Sequence, residues 1–264
     1  MTLTDLPLGP LERALVQSLQ RLDPSADEAV LAAAALCCQV LGNGDVCLPL
    51  ARWAGQRPWG EGYVLPALTD WRGQLSASAL VGAPGDFTPL ILDGERLYLA
   101  RYQAYEAQLA AQLLSRAADQ PAVDEAQLSD SLQRLFANNV QQPDWQRLAA
   151  AQAVRKRVAV ISGGPGTGKT TTVVRLLAAL LEQAGCEHLA IGLAAPTGKA
   201  AARMAEAIRN AKAELPVSEV IKAALPDEAR TLHRLLGSRG DSPRVRHDAA
   251  NPLPLDVLVV DEAS

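Results

Sequence analysis

Apolar residues recur at helical spacing through the first part of the chain, and alternating strand-like and helix-like runs replace them in the second. Leu11, Leu15, Leu19 and Leu22 fall on one face of a helix over 10–22, and an alanine-rich run predicts a second helix over 26–41. Between 42 and 85 the pattern breaks around Pro49, Pro58, Pro66 and Pro84. Trp53, Trp59 and Trp71 are spaced too irregularly for one helical face; with few cations around them they suit a small core or a protein interface better than stacking on bases. The run Leu90-Ile91-Leu92 and the run Leu97-Tyr98-Leu99 flank an Asp93-Gly94 turn, which predicts a β-hairpin. Helices over 102–117 and 125–136 follow, and the weakly patterned stretch 137–143 marks a boundary.

From Asp144 onward the pattern predicts a helix over 144–154, a strand over 158–162 and a helix over 168–184. A strand over 189–194, a helix over 197–212, short helices near 217–225 and 230–237, and a strand over 256–260 come next. Alternation of this kind predicts a parallel sheet with crossover helices. The expected fold class is therefore α/β: a P-loop domain over 144–264, preceded by a mainly helical region with a small β-hairpin over 1–115 and a helical connection over 116–143. Only three clear strands are present and the last ends four residues before Ser264, so the sheet reads as incomplete and the chain as a fragment.

Composition changes this picture little. With 264 residues, 48% of them apolar, the chain can bury a core in each of two domains. The richest apolar run, 29–38, is about half of a bilayer span, so no membrane partner is expected and a cytoplasmic location fits. Cys37, Cys38, Cys47 and Cys186 form no C-x-x-C pair and suit reduced thiols in a reducing compartment. Charge divides the chain: 1–140 holds 9 basic and 16 acidic residues, whereas 141–264 holds 16 basic and 13 acidic residues and every lysine. The two parts therefore present different surfaces, through ordinary scatter or through different partners.

The chemistry is concentrated after 144. Gly163-Gly164-Pro165-Gly166-Thr167-Gly168-Lys169-Thr170 lies between an apolar strand-like run and an apolar helix pattern. In that order, loop N–H groups and a helix N-terminus converge on one anion, so this is a nucleoside triphosphate site. Lys169 would reach the β- and γ-phosphates, Thr170 would offer its hydroxyl to Mg²⁺, and Thr171 continues the nucleotide-binding turn. Val257 to Val260 is an apolar strand ending in Asp261 and Glu262, about 90 residues after the loop. At such a strand end an aspartate can hold Mg²⁺ and a glutamate can act as the base that polarises the attacking water. In the intervening block Ala194 to Met204, Thr197, Gly198 and Lys199 open a helix that suits a backbone phosphate of a nucleic acid; a plain N-cap beside a solvated lysine explains the same residues. Thr231 to Gly237 reads, alone, as a short capped helix.

Taken together, 163–170, 194–204, 231–237 and 257–264 resemble the first motor domain of superfamily 1 DNA helicases. Within these they resemble the RecD family, the alpha subunits of the bacterial RecBCD enzyme (exodeoxyribonuclease V). The resemblance implies a RecA-like ATPase domain over 144–264, and a 5′-to-3′ helicase that uses ATP and Mg²⁺ in double-strand-break repair and recombination. It implies that Gln146, seventeen residues before Gly163, reads the adenine edge. It also implies that Thr197, Gly198 and Lys199, and then Thr231 and His233, touch single-stranded DNA, and that the partners are RecC-like and RecB-like subunits, with 1–115 docking on the former. Family members continue beyond this segment into a second RecA-like domain, so these residues by themselves should not translocate. The alternatives are another P-loop enzyme, a kinase or transport ATPase, and an assembly module that binds a RecC-like partner.

Overall fold

The computed structural model describes residues 6–60, 62–137, 143–183, 189–238 and 245–263. The chain divides into two compact units, Met1–Leu114 and Ser115–Ser264.

The first unit is built on a helix that is apolar on nearly every side. Helices α1 (Pro10–Leu22) and α2 (Glu28–Gly42) pack together, and α2 buries residues from Ala29 through Cys38 without a break. A helix of this composition belongs inside a core, because alanine lets neighbours approach closely and no polar face is left for water. The irregular stretch after it folds into β1 (Leu48–Pro49), α3 (Leu50–Trp53), α4 (Leu68–Ala77) and β2 (Val81–Gly82). The hairpin follows as β3 (Leu90–Asp93) and β4 (Arg96–Leu99), and then α5 (Ala100–Ala118). The sheet order is β1-β4-β3-β2, with β2 parallel to β3 and the other pairs antiparallel. Gly94, at φ 59°, makes the hairpin turn that the Asp-Gly pair predicts. Short proline-punctuated strands such as β1 and β2 carry too few residues to show an alternating pattern, and tertiary pairing alone defines them.

The tryptophans serve the core. Trp71 is fully buried and donates Nε1 to the Ala29 carbonyl at 3.2 Å, and Trp59 donates to Gln39 Oε1 at 3.2 Å. Cys37 and Cys38 are buried and Cys47 is half-buried, all as free thiols, and burial pushes the Cys37 thiol up to about 12. Cys186 lies outside the described residues. Among the described residues no helix is long and apolar enough to cross a membrane.

The second unit contains α6 (Glu125–Leu135), α7 (Trp145–Val154), α8 (Lys169–Glu182), β5 (Ile191–Ala195) and α9 (Gly198–Ala213). It continues through α10 (Glu219–Ala224), β6 (Arg230–Thr231), α11 (Leu232–Leu236) and β7 (Val257–Val260). Helix α8 is its hub and packs on α6, α7, α9 and α10 through Val174, Leu177, Ala178 and Leu181. Arg134 ties α6 to α8 and to the connection between α9 and α10: its guanidinium donates to Glu182 Oε2 at 2.8 Å and to the Pro216 carbonyl at 2.6 Å. Arg155 on α7 similarly braces α6, with Nε 2.8 Å from Glu125 Oε1, which holds that carboxyl below its ordinary range.

The sheet of this unit is parallel, as the helix-strand alternation predicts, with the order β6-β5-β7. Its membership differs from expectation in two ways. The predicted strand 158–162 forms no ladder, and Val160 is 90% exposed. An apolar run becomes a strand only when a neighbouring edge supplies hydrogen bonds, and no strand among the described residues pairs with this one. Conversely, Arg230 and Thr231, expected inside a helix, pair with Ala194 and Ala195 as β6 before the chain turns into α11.

Candidate functional site

The glycine-rich loop leads directly into α8. Gly166 and Gly168 take left-handed backbone angles, φ 74° and 78°, which a residue with a Cβ adopts only under strain. Gly168 is the N-cap of α8 and supplies no side-chain cap. Every other described helix of this unit is closed by a side chain: Asp124, Asp144, Thr197, Ser218 and Thr231 accept from backbone N–H groups of α6, α7, α9, α10 and α11. The first N–H groups of α8 are thus left for an acceptor from outside the helix, at the positive end of its dipole.

Lys169 turns back into this loop, donating Nζ to the carbonyls of Gly163 at 2.6 Å and Gly164 at 2.9 Å. Thr167 Oγ1 donates to the same Gly164 carbonyl at 2.9 Å, so two side chains converge on the loop's concave side. A Cβ on Gly163 would stand 2.8 Å from Thr167 Oγ1, which makes that position closed to larger residues without rearrangement. Gln146, on the first turn of α7, donates Nε2 to the Thr167 carbonyl at 2.9 Å. The chemistry of this set, one ammonium with an uncapped helix start and glycine backbone, fits a polyphosphate.

Thr170 and Thr171 stand half-buried on the first turn of α8. Thr172, which the sequence reading passed over, is buried and bonds the Gly168 carbonyl with both its N–H, at 2.9 Å, and its Oγ1, at 3.0 Å. The signal was available: a threonine four residues after a helix start can bond back along the helix.

A second group gathers at the carboxyl ends of the three parallel strands, where open α/β sheets present ligand-binding residues. Register sets Ala195 beside Thr231 and Ala194 beside Val260, so the chain leaves β5 towards Thr197, β6 at Thr231 and β7 towards Asp261 on one edge. The Asp261 N–H still reaches the Ala194 carbonyl at 2.9 Å, extending the ladder by one residue. Its Oδ1 then accepts from the Glu262 N–H at 3.0 Å, and Glu262 is exposed at φ 50°, an angle uncommon outside glycine. Thr197 Oγ1 accepts from Ala200 N–H at 3.1 Å, and Thr231 Oγ1 from Arg234 N–H at 3.2 Å. Both threonines are therefore helix caps, with the exposed Gly198, Lys199 and His233 beside them.

The cations of α9 divide by position. Lys212 bonds Asp227 Oδ1 and the Leu225 carbonyl, both at 2.8 Å, and Arg209 bonds the Asp227 carbonyl at 3.0 Å, whereas Lys199 and Arg203 make no ion pair among the described residues. The free cations are those at the strand-end side. The structure joins Gln146, Lys169 and Thr167 through direct bonds; among the described residues no hydrogen bond or ion pair links Asp261 or Glu262 to the loop. A cleft of about 840 Å³ lined by Asp124, Gln127, Arg134, Glu182 and Pro216 lies at the opposite end of α8 from the loop, roughly 20 Å along a 14-residue helix, and is no part of this site.

The sequence that builds this site has counterparts in known proteins. A family model described as an AAA domain matches residues 146–264, and one described as the RecBCD enzyme subunit RecD, N-terminal domain, matches residues 6–98. The RecBCD enzyme subunit RecD of Mycolicibacterium smegmatis is 43% identical over 266 residues, covering 96% of this chain and 45% of that protein. The likeness to RecD subunits therefore runs through both units of the chain. The RecD subunit of Haemophilus influenzae is 46% identical over 142 residues, covering 52% of this chain and 22% of that one. The ATP-dependent RecD2 DNA helicase of Deinococcus radiodurans is 40% identical over 113 residues, 43% of this chain and 13% of its own length. The chain spans less than half the length of these relatives. Its second unit carries the nucleotide-binding P-loop fold, and the match to the RecD N-terminal domain falls on the first.

Proposed function

We propose that the protein is the ATP-hydrolysing, 5′-to-3′ DNA helicase subunit of a RecBCD-type helicase and nuclease (exodeoxyribonuclease V), working in the cytoplasm in double-strand-break repair and recombination. The observation that carries this reading is the Lys169 ammonium turned into a glycine loop at the one helix start, among the described helices α6 to α11, that no side chain caps. Residues 144–264 form the first RecA-like domain, 116–143 connect it, and 1–115 dock on a RecC-like subunit beside a RecB-like one.

Lys169 exchanges its two carbonyl partners for phosphate oxygens, and its charge follows the negative charge that develops as the γ-phosphoryl leaves. Gly163, Gly164, Gly166, Thr167 and Gly168 wrap the phosphates with backbone N–H groups, Pro165, which has no N–H to give, stiffens the loop between them, and Thr171 stands beside them. Thr170 and Asp261 are the residues that would hold Mg²⁺, which supplies charge neutralisation to the phosphates when bound. Glu262, exposed and held just beyond the ladder, takes a proton from the attacking water. Thr197, Gly198, Lys199, Thr231 and His233 meet single-stranded DNA at the strand-end edge, where Lys199 and Arg203, which make no ion pair among the described residues, are cations that suit backbone phosphates.

The test is Lys169→Ala in the protein at its full length. DNA-stimulated ATP hydrolysis is expected to fall on the order of a hundredfold, comparable to the loss of one donor aimed at transition-state charge. Undiminished hydrolysis would remove the site assignment, and hydrolysis that single-stranded DNA fails to stimulate would remove the motor reading.

A further inference from the structure

The connection between α11 and β7 carries three arginines, Arg239, Arg244 and Arg246, that no part of the site above uses. Arg239 and Arg244 lie outside the described residues, whereas Arg246 belongs to a turn built onto the end of α11. The N–H groups of Arg246 and His247 both reach the Leu236 carbonyl, each at 3.0 Å. Asn251 Nδ2 donates to the Arg246 carbonyl at 2.8 Å, and Asp248 Oδ1 accepts from the N–H groups of Ala250, at 2.9 Å, and Asn251, at 3.0 Å. The carboxylate of this turn is thus engaged by its own backbone and leaves Arg246 alone. Gly237 is what lets the turn seat: it closes α11 at φ 70°, and a Cβ there would stand 2.7 Å from Arg246 Cβ and 3.6 Å from its Cδ. The stem of Arg246 therefore runs across a position that must carry no side chain.

Arg246 is exposed, and neither it nor Arg234, exposed on α11, makes an ion pair among the described residues. An arginine whose backbone is pinned and whose charge has no acid beside it is pre-set for an anion from outside, and its planar fork matches the oxygens of a phosphate. Its place says which phosphate. Helix α11 has five residues and rises about 7.5 Å, so Arg246 stands one short helix beyond the Thr231 cap, on the element that also carries His233. We propose that Arg246 is a strand-binding residue, whose guanidinium takes a backbone phosphate of single-stranded DNA farther along the strand than the one met at Thr231 and His233. The turn over 245–251 thereby lengthens the strand-end edge, and Gly237 is the hinge of contact that holds it there. This rests on the single-stranded DNA edge proposed above.

The experiment measures binding of fluorescently labelled oligodeoxythymidylate, and of a mixed-sequence single strand, to the full-length protein over a series of salt concentrations, for the wild type, Arg246→Ala and Arg246→Lys. Loss of one phosphate contact should reduce the slope of log affinity against log salt by about 0.7, which is about a fivefold loss of affinity at roughly 0.1 M salt. Both strands should lose the same factor, since a phosphate contact carries no sequence information. Arg246→Lys keeps the charge, so its slope should match that of the wild type. An unaltered slope in Arg246→Ala overturns the proposal, as does a loss confined to one of the two strands, which would mark a base contact. A slope in Arg246→Lys as low as that of Arg246→Ala also overturns it, because the shape of the turn and not its charge would then carry the effect. Failure of the wild-type protein to bind either strand overturns the single-stranded DNA reading itself, an outcome distinct from the others.

Discussion

The central helices of the two units, α2 and α8, start in opposite ways. At α2 the Asp27 carboxylate accepts from the Ala29 N–H at 2.8 Å, and the helix then runs through the core with its small apolar side chains covered. At α8 a left-handed glycine stands where the cap would be, and the first turn, Lys169 to Thr171, is only half-buried. A helix that serves stability closes its N-terminal donors with a side chain; one that serves an anion leaves them open and relies on its later turns for packing. The division of labour is visible within α8 itself, where burial begins at Thr172 and continues through Val174, Leu177, Ala178 and Leu181.

The comparison can be broken at its packed end first. Trp71→Ala removes a fully buried ring that also caps the Ala29 carbonyl, and should cost the first unit about 3 to 5 kcal/mol in denaturant unfolding. Nucleotide binding by the second unit should persist; joint loss of both would show that the two central helices are not separate centres of stability. Next in size, Gly168→Ala places a Cβ at φ 78° against Gln146 and should cost roughly 1 to 3 kcal/mol. Its signature is a weaker nucleotide affinity as well as a lower melting temperature, and a variant that melts early but binds normally would contradict the role given to the open helix start. The smallest effect belongs to Asp27→Ala, which deletes a cap worth about 1 kcal/mol. Its outcome should be a lower melting temperature with nucleotide affinity unchanged, measured by thermal unfolding beside a binding titration.

Much of this was legible along the chain because the interactions are local. The helix over 10–22, which buries Val16 and Leu19 but leaves the expected face members Leu11 and Leu22 exposed, the Asp-Gly hairpin and the turn around Gly166 and Gly168 each depend on residues a few positions apart. The order of α8, β5, α9 and β7 followed from the same periodicities, within a few residues at each end. Strand membership was not legible in this way. Val158 to Ser162 has the composition of a strand and lacks a partner, whereas Arg230 and Thr231 have the look of a helix start and gain one in β5.

The sequence by itself determined that a glycine loop with one lysine precedes a helix, that two acids end an apolar run, and that three of the four tryptophans sit in the part of the chain without lysines. Those statements need only residue types and spacing. The tertiary structure decided that Thr231 sits at a sheet edge beside Ala195, that Gln146 grips the Thr167 carbonyl from 21 positions away, and that Lys212 is engaged by Asp227 while Lys199 makes no ion pair among the described residues. Ladder hydrogen bonds and side-chain partners between distant positions form only once the chain has folded, and no local pattern encodes which distant acceptor a given donor will reach.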